Sequence, residues 1–247
     1  MARSGDCSDA EWSRRVELAA LFRLSAHFGW SDLTSTHISA RLSEQPGRYL
    51  LNSYDLMFEE ITASNLSILD FDGCVHSKGH VLNEAGHIIH SGILKARPEI
   101  NFVIHSHTRA GIAVSAMPGG LQPLSQHAGF VRGTLATHGY QDSTAVADEG
   151  ALLAADLGNN FAMLLENHGL LVVGRTPAEA FIYHYYLEMA CKIQVDILAG
   201  HDRPIRIGDD SMAALADWGS PHGEPQGETQ WSALLRMLER NQPDYRS

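Results

Sequence analysis

The sequence predicts a layered α/β domain, on three observations. Strand-like and helix-like segments alternate along the chain, short apolar runs rich in β-branched residues sit between polar turns, and the longest helical pattern opens on a capping box. The first helix is expected over 11–28, where Val16, Leu18, Ala19, Leu21, Phe22 and Leu24 recur at broadly helical spacing before Gly29 stops the pattern. Short strands follow at 36–42 and 48–53, joined through a turn at Pro46 and Gly47. Residues 84–96 read as a helix that ends before Pro98. The run Asn101 to His107 is a strand by its β-branched and aromatic content, and a helix over 109–117 stops at Pro118.

The second half repeats the alternation. A helix is expected at 143–157, capped by Asp142 or Ser143 and closed by Gly158. Two strands, Phe161 to Leu165 and Leu170 to Val173, flank the polar turn Glu166, Asn167, His168 and Gly169. Thr176 and Glu179 form the capping box, with Pro177 at the first helical position, and the helix they open runs to Ala199 against Gly200. Tyr183, Tyr185 and Tyr186 on that helix fit its core-facing spacing. Residues 1–202 are expected to form the main domain. Residues 203–247 form a C-terminal part of the same domain, with a Gly/Pro-rich loop at 219–227 and a short amphipathic helix at 229–240.

Composition narrows the partner. A net charge of −11 with no basic block argues against nucleic acid and anionic membranes, both of which reward clustered Lys and Arg. No apolar run is long enough to span a bilayer, and Met1 to Ser13 lacks the apolar core of a signal peptide. Cys7, Cys74 and Cys191 are odd in number, far apart and outside any CxxC pattern, which predicts a reducing cytoplasm. A small molecule is the expected partner.

The chemistry is carried by histidines. Residues i and i+2 of a strand project to one face, so His105 and His107 share one space. Imidazole is a common ligand for zinc and also suits iron, nickel and copper. His168, held in a tight polar turn between apolar runs, is the natural third ligand. Three imidazoles with an open position describe a catalytic metal site. The plainer reading, buried histidines that satisfy backbone groups, fits an isolated HxH pair but explains the third histidine poorly.

Arg97, Pro98 and Glu99, the stretch Val103 to Thr108, and the stretch Glu166 to Gly174 together resemble the class II aldolase/adducin family, over residues 16 to 200. The resemblance implies a three-layer α/β/α fold with a mostly antiparallel central sheet, and a homotetramer with sites at subunit boundaries. It also implies one divalent metal per subunit on His105, His107 and His168, zinc first, with manganese or iron as alternatives. Aldolases and decarboxylases of the family use such a metal to stabilise the carbanion left by C–C cleavage. Some relatives resemble non-haem iron oxygenases, and adducin head domains are structural modules.

Two departures from the sugar-phosphate aldolases are informative. Their acid/base glutamate lies four residues before a histidine similar to His90, and that position is Gly86 here. Glu84, otherwise a helix-start residue favourable to the dipole, is one candidate replacement. His127, near the position of a tyrosine that the aldolases supply from a neighbouring subunit, is the other, unless it only lines an interface. The aldolases' phosphate cradle is replaced by Ser35 to Ile38 and Asn52 to Asp55, where Asp55 would repel a phosphate. A small, non-phosphorylated, carboxylate-bearing substrate is therefore expected. His37 could bind its anionic group, or simply bond a neighbouring loop. Arg109 could pair with its carboxylate, or make a surface salt bridge. His76, His80, His87 and His184 read as structural or solvent-facing.

Overall fold

The first helix, α1 (Asp9–His27), starts where the Ser8 side chain accepts a hydrogen bond from the Glu11 amide, and ends into Gly29, whose φ of 71° lies in the left-handed region. The computed structural model describes residues 7–77, 79–141, 149–200 and 202–247. The chain then forms β1 (His37–Arg41), β2 (Arg48–Leu51), β3 (Ser67–Asp70), α2 (Glu84–Ala96), β4 (Phe102–Ser106), α3 (Arg109–Ser115) and α4 (Gln126–Arg132). It continues through β5 (Leu135–His138), α5 (Glu149–Leu157), β6 (Ala162–Leu165), β7 (Gly169–Gly174), α6 (Pro177–Ala199), α7 (Asp209–Trp218) and α8 (Glu228–Asn241). Among the described residues no helix is long and apolar enough to cross a membrane.

The strands form one sheet in the order β3-β2-β1-β4-β7-β6-β5. Every pairing is antiparallel except β5 with β6, so the sheet is mostly antiparallel as expected. Side-chain alternation divides its two faces. Val103 on β4 joins a core cluster with Ile89 and Ile93 of α2 and Leu153 of α5. Phe102 and Ile104 join a second cluster with Leu18, Leu21 and Phe22 of α1 and Trp231 of α8. Two cores on opposite faces make a three-layer domain. Helix α6 serves both, with Tyr183 and Leu187 in the first cluster and Phe181 in the second.

The strongly patterned elements lie where the sequence predicts them, and the short ones do not announce themselves. β3, β5, α4 and α7 were not expected. β3 and β5 are four residues each and α4 is seven, too short for a periodicity to register. The expected Asp142 or Ser143 cap, and the start of the helix at 143, lie outside the described residues; Glu149–Leu157 is the described part.

The C-terminal segment packs into the second core. Tyr245 is fully buried, its hydroxyl donates to Glu239 at 2.8 Å, and its carbonyl accepts from the Ala63 amide at 2.9 Å. Arg23 of α1 reaches Asp244 at 2.8 Å and the Ile61 carbonyl at 2.8 Å. We expect Tyr245→Ala to cost about 3–5 kcal/mol in urea unfolding, as for a large buried aromatic. A loss below about 1 kcal/mol would mean that this segment only rests on the domain.

Candidate metal centre

The site follows from register. β4 lies between β1 and β7, with His105 opposite His37 on one side and Leu171 on the other. Ser106 pairs with Leu170, so His107, just past the end of β4, meets the turn that precedes β7. That turn is tightly specified. Asn167 takes a left-handed φ of 56°, which asparagine tolerates, and the His168 amide donates to the Leu165 carbonyl at 3.0 Å. A Cβ on Gly169 would stand 2.3 Å from the Ser106 carbonyl oxygen, so only glycine lets the turn approach β4 this closely.

The three predicted ligands converge. His105 Nε2 is 2.9 Å from His107 Nε2, which is 3.0 Å from His168 Nε2. All three ligand atoms lie within 4.8 Å of one another. Proton placement shows what this geometry suits. His105 Nδ1 faces the Leu170 carbonyl at 3.0 Å, an oxygen that only accepts, so Nδ1 carries the proton. His107 Nδ1 faces the Asp32 carboxylate at 3.1 Å and is protonated for the same reason. In neutral rings both Nε2 atoms then present lone pairs to each other, which repel unless a cation lies between them. A carbonyl or carboxylate behind each imidazole is the arrangement that orients metal-binding histidines. The residues fit a divalent ion.

Electrostatics agrees. Burial, and then the neighbouring rings of His37, His107 and His168, holds His105 well below the usual histidine range. Burial, then His107 and His138, brings His168 down to about 4. Neutral imidazole is the form that binds metal.

His37 is the one further predicted residue that touches the triad. It is buried, its ring centroid is 4.9 Å from that of His105, and its Nδ1 is 2.7 Å from His90 Nε2. Ser39 Oγ in turn contacts His90 Nδ1. Burial, chiefly, keeps His37 and His90 well below the usual range. Arg109 is exposed at the start of α3 and has no acidic partner among the described residues, so the surface salt bridge is absent there. Glu84 is exposed at the start of α2. His127 is half-buried on α4, with its ring 5.2 Å from that of Tyr186. No hydrogen bond or ring contact among the described residues joins Glu84 or His127 to the triad. Asp55 is exposed and accepts from Ser53 Oγ at 2.6 Å, in the segment that leaves β2 beside the start of β1.

Sequence reasoning missed Asp32, Ser39 and the role of His90. His37 and Ser39 stand at the same i, i+2 spacing as His105 and His107, so that same-face signal was available. Asp32 lies in a loop far from His107 in sequence and leaves no comparable signal. His184, read as structural, is fully buried: its Nε2 is 2.7 Å from Ser106 Oγ, its ring centroid is 4.1 Å from that of Trp30, and burial brings it down to about 3.

The profile of the class II aldolase and adducin N-terminal domain matches residues 16–195, and the chain belongs to that family. A crystal structure of an aldolase II superfamily protein from Pseudomonas syringae is 41% identical, superposes with a TM-score of 0.91, and covers 97% of each chain. The L-fuculose 1-phosphate aldolase of Glaciozyma antarctica is 29% identical with a TM-score of 0.83, covering 100% of this chain and 97% of that one. The chain is also 36% identical to rat alpha-adducin over 91% of its own length and 33% of the adducin. The fold is that of the class II aldolases.

Two outcomes test the site. His105→Ala should abolish metal retention, measured by elemental analysis, while leaving the far-UV spectrum largely intact; wild-type stoichiometry in that variant would remove His105 from the ligand set. Acid should weaken the metal-free fold. The native state keeps His168 and His184 neutral down to about 4 and about 3, while unfolded histidines protonate near about 6.5. The urea midpoint should therefore be flat above about pH 7 and fall as pH drops from about 6.5 toward 4. A flat profile across that window would contradict the buried neutral rings.

Proposed function

We propose that this protein is a divalent-metal-dependent carbon–carbon lyase. It cleaves or decarboxylates a small, non-phosphorylated hydroxy or oxo compound that bears a carboxylate. The observation that carries the reading is the convergence of three Nε2 atoms, with the Nδ1 protons of His105 and His107 held by Leu170 and Asp32. Membership of the class II aldolase family supports aldolase-type chemistry on that site. A divalent ion held by these three histidines, zinc in the first instance for three nitrogen donors, would supply Lewis acidity to stabilise the negative charge that develops when a C–C bond breaks.

The chain's own groups do the rest. His105 and His107 would hold the ion, aimed by the Leu170 carbonyl and the Asp32 carboxylate. Arg109, two residues past His107 and without an acidic partner among the described residues, is the cation for a substrate carboxylate. His37 binds an anionic oxygen beside the triad. Proton transfer falls to His127, delivered from α4 to a neighbouring subunit's metal in a homotetramer, or to Glu84 at the start of α2. The Asp55 carboxylate, exposed where the aldolases bind phosphate, supports a substrate without one. The cytoplasm is the expected compartment.

The likeness to alpha-adducin favours one second reading, an interaction module without catalysis. Metal analysis under anaerobic purification separates the readings. One zinc or manganese per chain, with chelator-sensitive release of aldehyde, oxo acid or CO₂ from a panel of hydroxy and oxo acids, is the expected result. Iron with oxygen-dependent turnover would replace the lyase by an oxygenase. No metal, and no effect of chelator on activity or stability, would leave the interaction module. Phosphoglycolate should bind only weakly, and an affinity near about 1 μM would overturn the assignment of a non-phosphorylated substrate.

A further inference from the structure

Behind the triad lies a buried chain of three polar side chains: Ser39 on β1, His90 on α2 and His37 on β1. Ser39 and His90 are fully buried, and His37 is 3% exposed. Ser39 Oγ contacts His90 Nδ1, and His90 Nε2 lies 2.7 Å from His37 Nδ1. The remaining polar atom, His37 Nε2, has no hydrogen-bond partner among the described residues.

Two proton arrangements are possible with both rings neutral. In one, His37 Nδ1–H donates to His90, and His90 Nδ1–H donates to Ser39. The Ser39 hydroxyl proton is then stranded, because His90 is its only partner among the described residues and the serine is fully buried. In the other, Ser39 O–H donates to His90 Nδ1 and His90 Nε2–H donates to His37 Nδ1. Every donor inside the chain is then satisfied, and only acceptor lone pairs on the serine are left unused. The second arrangement also leaves one free donor, His37 Nε2–H, but that atom is not fully buried as the serine is, and a stranded donor costs most where nothing can reach it, so the second arrangement wins. It puts the proton of His37 on Nε2.

Gly86 locates that proton. A Cβ at position 86 would stand 2.8 Å from His37 Cδ2 and 3.1 Å from His37 Nε2. Any side chain there would push the imidazole edge aside, so a glycine at 86 and a histidine at 37 occupy one volume together. The same ring lies beside that of His105, with centroids 4.9 Å apart and planes tilted by 35°. The ring that carries this proton therefore lies between Gly86 and the triad's His105.

We infer that Ser39 and His90 lock His37 in the Nε2–H tautomer, and that His37 donates this hydrogen bond to an anionic oxygen of the substrate beside the metal centre, with Gly86 giving its ring room. The substrate class rests on the proposed function; the relay does not. A protonated Nε2 has no lone pair for a metal, so His37 is a substrate-binding group and not a fourth ligand. His90, Ser39 and Gly86 are positioning residues.

A neutron crystal structure of the zinc-loaded full chain reads the proton positions directly. Deuterium is expected on His37 Nε2, on His90 Nε2, and on Ser39 Oγ directed at His90. Deuterium on His37 Nδ1, or a zinc–His37 bond, would overturn the inference. In solution, the zinc-loaded protein is titrated calorimetrically with glycolate as the probe. Ser39→Ala should keep full zinc stoichiometry and lose roughly fivefold in glycolate affinity, and His37→Leu should lose at least about tenfold, the scale of one hydrogen bond to a charged group. His37→Gln, which presents an amide N–H, should recover part of that loss. Wild-type affinity in both Ser39→Ala and His37→Leu would sink the donor role, as would loss of zinc in a folded His37→Leu. The expected neutron pattern with no glycolate binding even by the wild type would support the relay and sink the carboxylate reading instead.

Discussion

The antiparallel register between β4 and β7 is the constraint on which this site depends. It sets Ser106 against Leu170, and so brings the residue after one strand against the residue before the other. His107 and His168 are far apart in sequence, yet that pairing leaves their Nε2 atoms 3.0 Å apart. A slip of one residue would turn His105 to the opposite face, toward Trp30 and His184, and the three lone pairs would no longer converge. Glycine at 169 protects the register, since any larger residue would collide with the Ser106 carbonyl.

A fold that holds neutral imidazoles edge to edge is locally unfavourable without a cation, and its surroundings reinforce the tension. Leu170 and Asp32 fix two of the rings so that neither can rotate to relieve the repulsion. Burial disfavours the charged forms of His105 and His168. The cost is carried by two apolar cores on either side of a seven-stranded sheet. This is how a metal site is pre-organised: the scaffold supplies the stability, and the ion supplies what the site lacks.

Much of this was legible in the sequence because its signals are local. Period-2 spacing put His105 and His107 on one face, and the polar turn at Glu166 to Gly169 marked His168 as the third candidate ligand. Thr176 caps α6 as expected, but Glu179 bonds the Arg175 amide instead of closing the capping box on Thr176. What escaped was non-local or too short to be periodic. Asp32 reaches His107 from a loop, and β3, β5, α4 and α7 carry too few residues or too little pattern. Gly86 read as the loss of a carboxylate; in three dimensions it is the space that His37 fills. That exchange between two distant positions needs coordinates to see.

One divalent ion is expected on His105, His107 and His168 and on no other side chain. X-ray absorption at the edge of the metal that co-purifies with the native protein tests it most directly. Three imidazole nitrogens at about 2.0–2.1 Å, with lighter oxygen scattering from water or substrate, are expected. A shell with four imidazoles, with sulfur, or with oxygen alone would contradict it.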